Sequence, residues 1–189
     1  MFEKDGTLHG TGHRPKDLGG YDVNAPMNAW LIETTREVLR ILRDEFNFKR
    51  VITGMALGFD QWLLEAALMI GGYYTIAAVP CAGQEKMWPE TSKRRYFELL
   101  EMCNEVHILA ESYSPKAMQD RNIWMVDNSI LSLAAWVGKK AGGTYNCLSY
   151  STERGNEQLI MDPIMRAVVA NAKFKEKYRS DLGGLLLSL

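Results

Sequence analysis

Four stretches of the chain combine residue types suited to holding an anion. The first is Gly10-Thr11-Gly12-His13-Arg14-Pro15. Its glycines let the backbone approach a ligand closely, and the planar guanidinium of Arg14 can grip two phosphate oxygens at once. A tight turn with a surface arginine would look the same. The second is Thr53-Gly54-Met55-Ala56-Leu57-Gly58-Phe59-Asp60, an apolar strand end, a glycine-bearing turn and a helix start. Unpaired N–H groups and the positive end of a helix dipole meet at such a place. Asp60 either caps that helix or meets a ribose hydroxyl. The third is Gly142-Gly143-Thr144-Tyr145-Asn146, where backbone donors and the Thr144 hydroxyl can wrap a phosphate with Asn146 alongside. It is not a Walker loop, because the closing Gly-Lys-Ser/Thr is missing. A dinucleotide GxGxxG fingerprint is absent too, since Pro15 stands where its third glycine belongs. The fourth is Arg121-Asn122, set among Ile123, Trp124, Met125 and Val126. An arginine in such apolar company needs an acceptor, either a ligand phosphate or a buried carboxylate.

These stretches need elements to position them, and the chain supplies an alternation. Thr7 to Gly12, Arg50 to Thr53, Tyr74 to Val79, Glu105 to Leu109, Ile130 to Val137 and Gln158 to Met161 have strand character. Helical spacing runs from an Asn24 cap to about Phe46, from Phe59 to Ile70, from Trp88 to Met102, from Pro115 to about Asn128 and, after the Gly142-Gly143-Thr144 turn, to about Glu153. The tail from Pro163 to about residue 180 is amphipathic and predicts a helix. Such alternation predicts an α/β fold, a Rossmann-like, mostly parallel sheet with helices on both faces. One domain over residues 1–189 is the simplest organisation, with the motifs in a core of about residues 7–162. In open α/β sheets ligands bind at the carboxyl ends of strands, where three of the four stretches fall. The five tryptophans (30, 62, 88, 124 and 136) are expected in the core or at an interface, with Trp88, in a loop-to-helix turn, the first candidate for stacking on a ligand instead, and Lys93-Arg94-Arg95 on a solvated helix face.

Bulk composition narrows the partners. Lys and Arg number 22 and Asp and Glu 23, a net charge of −1, which offers no global pull toward nucleic acid or anionic membrane. There is no run of about 18 apolar residues to span a bilayer and no signal-peptide pattern at Met1-Phe2-Glu3-Lys4-Asp5. Cys81, Cys103 and Cys147 are odd in number and widely spaced, as free thiols in a reducing cytoplasm would be. With His9, His13 and His107 they form no familiar metal-ligand spacing.

Taken in order, the four motifs resemble the SLOG superfamily, the Rossmann-like group that includes DprA (Smf) and the LOG enzymes. The Thr11-Gly12-His13-Arg14-Pro15 turn looks most like its YspA/YpsA-type branch, often found in bacteria and their phages. The resemblance spans about residues 7–150. It implies a pocket for a nucleotide, a nucleoside phosphate or an NAD- or ADP-ribose-like signal, often in a homodimer or larger homo-oligomer, and no cofactor. The ligand-binding residues it implies are Thr11, Gly12, His13, Arg14, Gly54, Met55, Ala56, Gly58, Asp60, Arg121, Asn122, Gly142, Gly143, Thr144 and Asn146. LOG-type phosphoribohydrolases carry a glutamate shortly after the late glycine turn, where this chain has Tyr145-Asn146-Cys147. Only Glu65 or Glu153, brought to the pocket by folding, could supply that carboxylate. The resemblance thus implies a sensor or sequestering protein first, an N-glycosidic hydrolase second and DprA-like single-stranded DNA binding third.

Overall fold

The computed structural model describes residues 4–178. Its seven strands are β1 (Thr7–Gly12), β2 (Arg50–Thr53), β3 (Tyr74–Val79), β4 (Glu105–Ile108), β5 (Leu131–Ala135), β6 (Glu157–Asp162) and β7 (Ala167–Ala170). The helices are α1 (Pro26–Asp44), α2 (Phe59–Ile70), α3 (Glu90–Met102), α4 (Pro115–Asp127), α5 (Gly143–Glu153) and α6 (Ala172–Lys177). They make one sheet of order β4-β3-β2-β1-β5-β6-β7, parallel except for the antiparallel β6–β7 pair. The chain winds outward from β1 through β2 and β3 to β4, then returns to lay β5 on the other side of β1. The β1–β5 boundary is therefore the switch point, and their loops diverge there to leave a crevice.

Strand alternation explains the two covered faces. Leu8 of β1 joins Val51, Leu131, Leu133 and Leu159 in a core closed by Leu31, Val38 and Leu39 of α1 and Phe59 and Leu63 of α2. On the other face Ile52, Ile76 and Ala78 pack against Met125 and Val126 of α4 and Cys147 of α5. A third cluster seats Tyr96 and Leu99 of α3 on Ala77 and Val79. Such strands, buried on both faces, read as nearly continuous apolar runs.

Three expectations shift. Asn24 is not the α1 cap. Ala25 holds that position, while the Asp22 carboxylate accepts the Asn24 N–H at 2.9 Å, and Pro26 opens the helix where no donor is needed. α3 begins at Glu90 rather than Trp88, because Pro89 bars an earlier turn, and Trp88 instead packs edge-on against Tyr96. The tail from Pro163 is not one helix. Residues 163–166 turn, with Arg166 at a φ of +49°, and β7 then pairs with β6 before the short α6. Val168 is buried and Val169 half exposed, the period-two pattern of a strand that a helical count overlooks. Residues 179 and 180 of the expected helix lie outside the described residues.

Candidate functional site

The crevice at the β1–β5 switch point is a cleft of about 510 Å³. Its floor runs from Thr11 near the end of β1 to Arg14. The His13 N–H extends the β1–β5 pairing by donating to the Ala135 carbonyl at 3.2 Å. Gly12 is required by close packing, since a Cβ there would lie 2.5 Å from Phe59 at the start of α2. Arg14 projects into solvent at the rim, whereas Thr11 and His13 are buried.

One wall is the β2–α2 turn. The Thr53 hydroxyl donates to the Asp60 carbonyl at 2.7 Å, and the Asp60 carboxylate accepts the Ala56 N–H at 3.3 Å. Asp60 thus closes the turn before α2 rather than capping that helix, whose N-cap is Gly58 with no side-chain hydrogen bond, and it also lines the cleft. The opposite wall is α4. Arg121 reaches the Asp60 carboxylate at 3.4 Å with both side chains under a tenth exposed, and its Nε donates to the Asn122 carbonyl oxygen at 3.0 Å. The acceptor that Arg121 required is therefore a buried carboxylate. Asn122 in turn donates to the Gly143 carbonyl at 3.3 Å, tying α4 to the last wall. That wall is the start of α5, where Gly142 takes a φ of +88° as N-cap and no side chain caps the first turn. The early N–H groups of α5 are left to whatever enters the cleft.

The cleft is electropositive. Arg14, Lys16, Arg121 and Lys139 line it against Asp17 and Asp60. Asp60 is held by Arg121, and Lys139 lies 3.7 Å from Asp17. Burial pushes the Asp60 carboxyl above the ordinary range despite the neighbouring Arg121 guanidinium. Burial likewise lowers the His13 pKa, against an opposing pull from Asp17, and the buried His13 Nε2 has no hydrogen-bond partner among the described residues. The imidazole is thus neutral, and its unpaired ring nitrogen, itself buried, meets an incoming group only if the ring turns.

Of the fifteen expected residues, eleven line this cleft: Thr11, Gly12, His13, Arg14, Ala56, Asp60, Arg121, Asn122, Gly142, Gly143 and Thr144. Four do not. Gly54 lies behind the wall, where a Cβ would sit 1.5 Å from the Arg121 guanidinium. Met55, at a φ of +57°, buries its side chain against α3. Gly58 presses on the His13 carbonyl at a seam between this cleft and a neighbouring cavity. Asn146 points away, exposed on the first turn of α5. Sequence reasoning missed Lys16, Asp17, Met118, Lys139 and Ala141. Lys16 and Asp17 directly succeed the Arg14-Pro15 pair and Lys139 just precedes the paired glycines, so basic residues flanking a glycine turn were the available signal. Neither candidate glutamate reaches the cleft. Glu65 pairs with Arg95 at 2.7 Å in the neighbouring cavity, and Glu153 ends α5.

Beneath the floor sits a fully buried set that spacing did not reveal. His9 Nδ1 meets the Ser129 hydroxyl at 2.7 Å, and His9 Nε2 lies 3.6 Å from the Cys147 thiol. Burial lowers His9 to about 3 and raises Cys147 to about 12, so both are neutral and the thiol is not an activated nucleophile.

Fold and cleft define a Rossmann-like α/β protein with an electropositive crevice at its topological switch point. The chain belongs to the YspA SLOG family, whose model matches residues 8–159. It is 32% identical over 130 residues to the uncharacterized SPbeta prophage-derived protein YoqJ of Bacillus subtilis (strain 168), covering 60% of this chain and 75% of that protein. The fold is similar to DNA processing protein A (DprA) from Streptococcus pneumoniae, with a TM-score of 0.54 and 17% identity over 82% of this chain. The match spans about half of DprA, 49% of its chain. Among the described residues no helix is long and apolar enough to cross a membrane.

Proposed function

We propose that the cleft binds the phosphate of a nucleotide or nucleotide-derived ligand, such as a nucleoside phosphate or an NAD- or ADP-ribose-like signal, and that the protein senses or sequesters it. The observation that carries this reading is the convergence of Arg14, the Thr144 hydroxyl and the uncapped start of α5 on one cavity of about 510 Å³. That volume lies in the range of small-molecule sites, roughly 300–1,000 Å³. Gly142 and Gly143 add no side chain between the ligand and the helix N–H groups. The hydrolase alternative is weaker, because neither Glu65 nor Glu153 lines the cleft and Asp60 is already engaged by Arg121. The DNA-binding alternative draws only on a likeness of fold to DprA.

Thermal shift with AMP, NAD and ADP-ribose, in the wild type and in Arg14→Ala and Thr144→Ala, tests the reading. A ligand at a hundred times its Kd stabilises by about 2.7 kcal/mol, and each kcal/mol raises Tm by roughly 2–4 °C in a chain of this size. Both variants should lose most of that shift, and an equal shift in all three proteins would place the ligand elsewhere. Chromatography of the same mixtures separates sensor from hydrolase, since only the latter releases free base. A gel shift at low salt tests single-stranded DNA.

A further inference from the structure

A second cavity, of about 400 Å³, lies directly beyond the wall of the cleft. Three pairs of consecutive residues are divided between the two. Arg14, Ala56 and Asp60 line the cleft, whereas Pro15, Leu57 and Gln61 line its neighbour. The seam between them is a backbone contact, in which the Phe59 N–H donates to the His13 carbonyl at 3.4 Å and Gly58 admits no Cβ.

The chemistry of the second cavity differs from that of the first. Its ionisable lining includes Glu65 and Arg95, which neutralise each other at 2.7 Å. Its apolar lining includes Tyr21 and Trp62, with Tyr21 63% exposed at the mouth. Gln61 is more than nine-tenths buried, and its amide nitrogen has no hydrogen-bond partner among the described residues. Buried amide groups are nearly always paired, so one left unpaired in a residue that lines a cavity is an unmet donor that rotation of the side chain brings to a ligand. The hydroxyls of Thr91 and Ser92, in the first turn of α3, stand on the same lining.

We infer that this cavity is a subsite for a nucleobase, a flat, uncharged ring with hydrogen-bonding edges. Tyr21 offers an exposed aromatic ring, and Trp62, 8% exposed and packed in the core, adds only the small part of its surface that lines the cavity. Gln61 donates to a ring nitrogen or carbonyl, while the two hydroxyls meet the remaining edge. A phosphate is disfavoured, because Arg95 is already committed to Glu65. The subsite rests on the phosphate assignment of the first cleft only in joining the two cavities into one elongated site.

Isothermal titration of the full chain with ribose 5-phosphate, the four ribonucleoside 5′-monophosphates and their nucleosides tests it. At least one monophosphate should bind ten-fold or more tighter than ribose 5-phosphate. Gln61→Leu and Tyr21→Ala should each weaken that monophosphate and its nucleoside by about ten-fold, leaving ribose 5-phosphate within two-fold. Arg14→Ala should weaken every phosphate and spare the nucleoside. The subsite is refuted if no monophosphate outbinds ribose 5-phosphate, or if Gln61→Leu and Tyr21→Ala alter both ligand types equally. Nucleoside binding that these two variants abolish, without any binding of ribose 5-phosphate, would uphold the subsite and refute the phosphate cleft instead.

Discussion

Gly54→Ala is expected to act through a residue 67 positions away in sequence, Arg121. Gly54 does not occupy the left-handed region, so its backbone would accept alanine without strain. At such a site the substitution ordinarily stabilises by about 0.4–1 kcal/mol through the unfolded chain. Here the new Cβ would fall 1.5 Å from Arg121 Nη1, 2.5 Å from its Cζ and 2.8 Å from Asp60 Oδ2, so the guanidinium must move and the carboxylate must give by a few tenths of an ångström. Its partner Asp60 is only 4% exposed and cannot follow it to water. Separating a buried ion pair costs about 3–5 kcal/mol, roughly a 10 °C fall in Tm for a chain of this size. Urea denaturation of wild type, Gly54→Ala, Arg121→Ala and the double variant forms the appropriate cycle. In the Arg121→Ala background the Gly54→Ala cost should shrink below about 1 kcal/mol or change sign. An undiminished cost in that background would show that Gly54 makes room for something other than the guanidinium.

Three further outcomes concern buried groups and one strained turn. His9, held neutral with a pKa near 3, takes up its proton only on unfolding between that value and its ordinary 6.5. Stability should therefore be intact above pH 6.5 and decline as pH falls below it, by up to about 1.4 kcal/mol per unit, and His9→Gln should flatten that slope in urea titrations at about pH 7.5 and 5.5. Ser132 and Ser151 share a buried hydrogen bond of 2.6 Å, so Ser132→Ala should cost about 1–3 kcal/mol and the double alanine variant less than the two single losses together, as read by thermal melts. Gly58→Ala, at a φ of +93° with its Cβ 2.8 Å from the His13 carbonyl, should lower stability by about 1–3 kcal/mol, and an unchanged Tm would contradict the strain assigned there.

Much of the central sheet was legible because glycine and proline punctuate it. Arg50–Thr53 stops at Gly54, Phe59–Ile70 at Gly71 and Tyr74–Val79 at Pro80, so these elements have the bounds that the residues suggest. The mostly parallel order was readable from the spacing, since helical crossovers separate successive strands. The antiparallel β7 escaped notice because its four residues lie within a stretch that also fits a helical period, and only pairing with β6 decides between them. Cleft-lining residues were legible at the first and third glycine turns and at Arg121-Asn122, whereas the second turn contributes only Ala56 and Asp60. Lys16 and Lys139 flank such turns but were not read, because only β5 lying beside β1 brings the two turns to one cleft. The partner of Arg121 was narrowed by polarity alone to a phosphate or a carboxylate, and only the approach of α4 to the β2–α2 turn selects Asp60.

The return of the chain to β1 has a consequence for assembly. Thr11 and Thr144 are 133 positions apart in sequence, and their walls meet only after Leu131–Ala135 has been inserted beside the first strand. Pairings of such separation form slowly, because loop closure precedes any reward from contact. A nascent chain ending before residue 131 has every residue of α1, α2 and α3 but only part of the cleft lining. Under the proposed function, capture of a ligand is thus a late event in the life of the chain, and a ligand present during refolding should trap the finished sheet without hastening the steps that precede it.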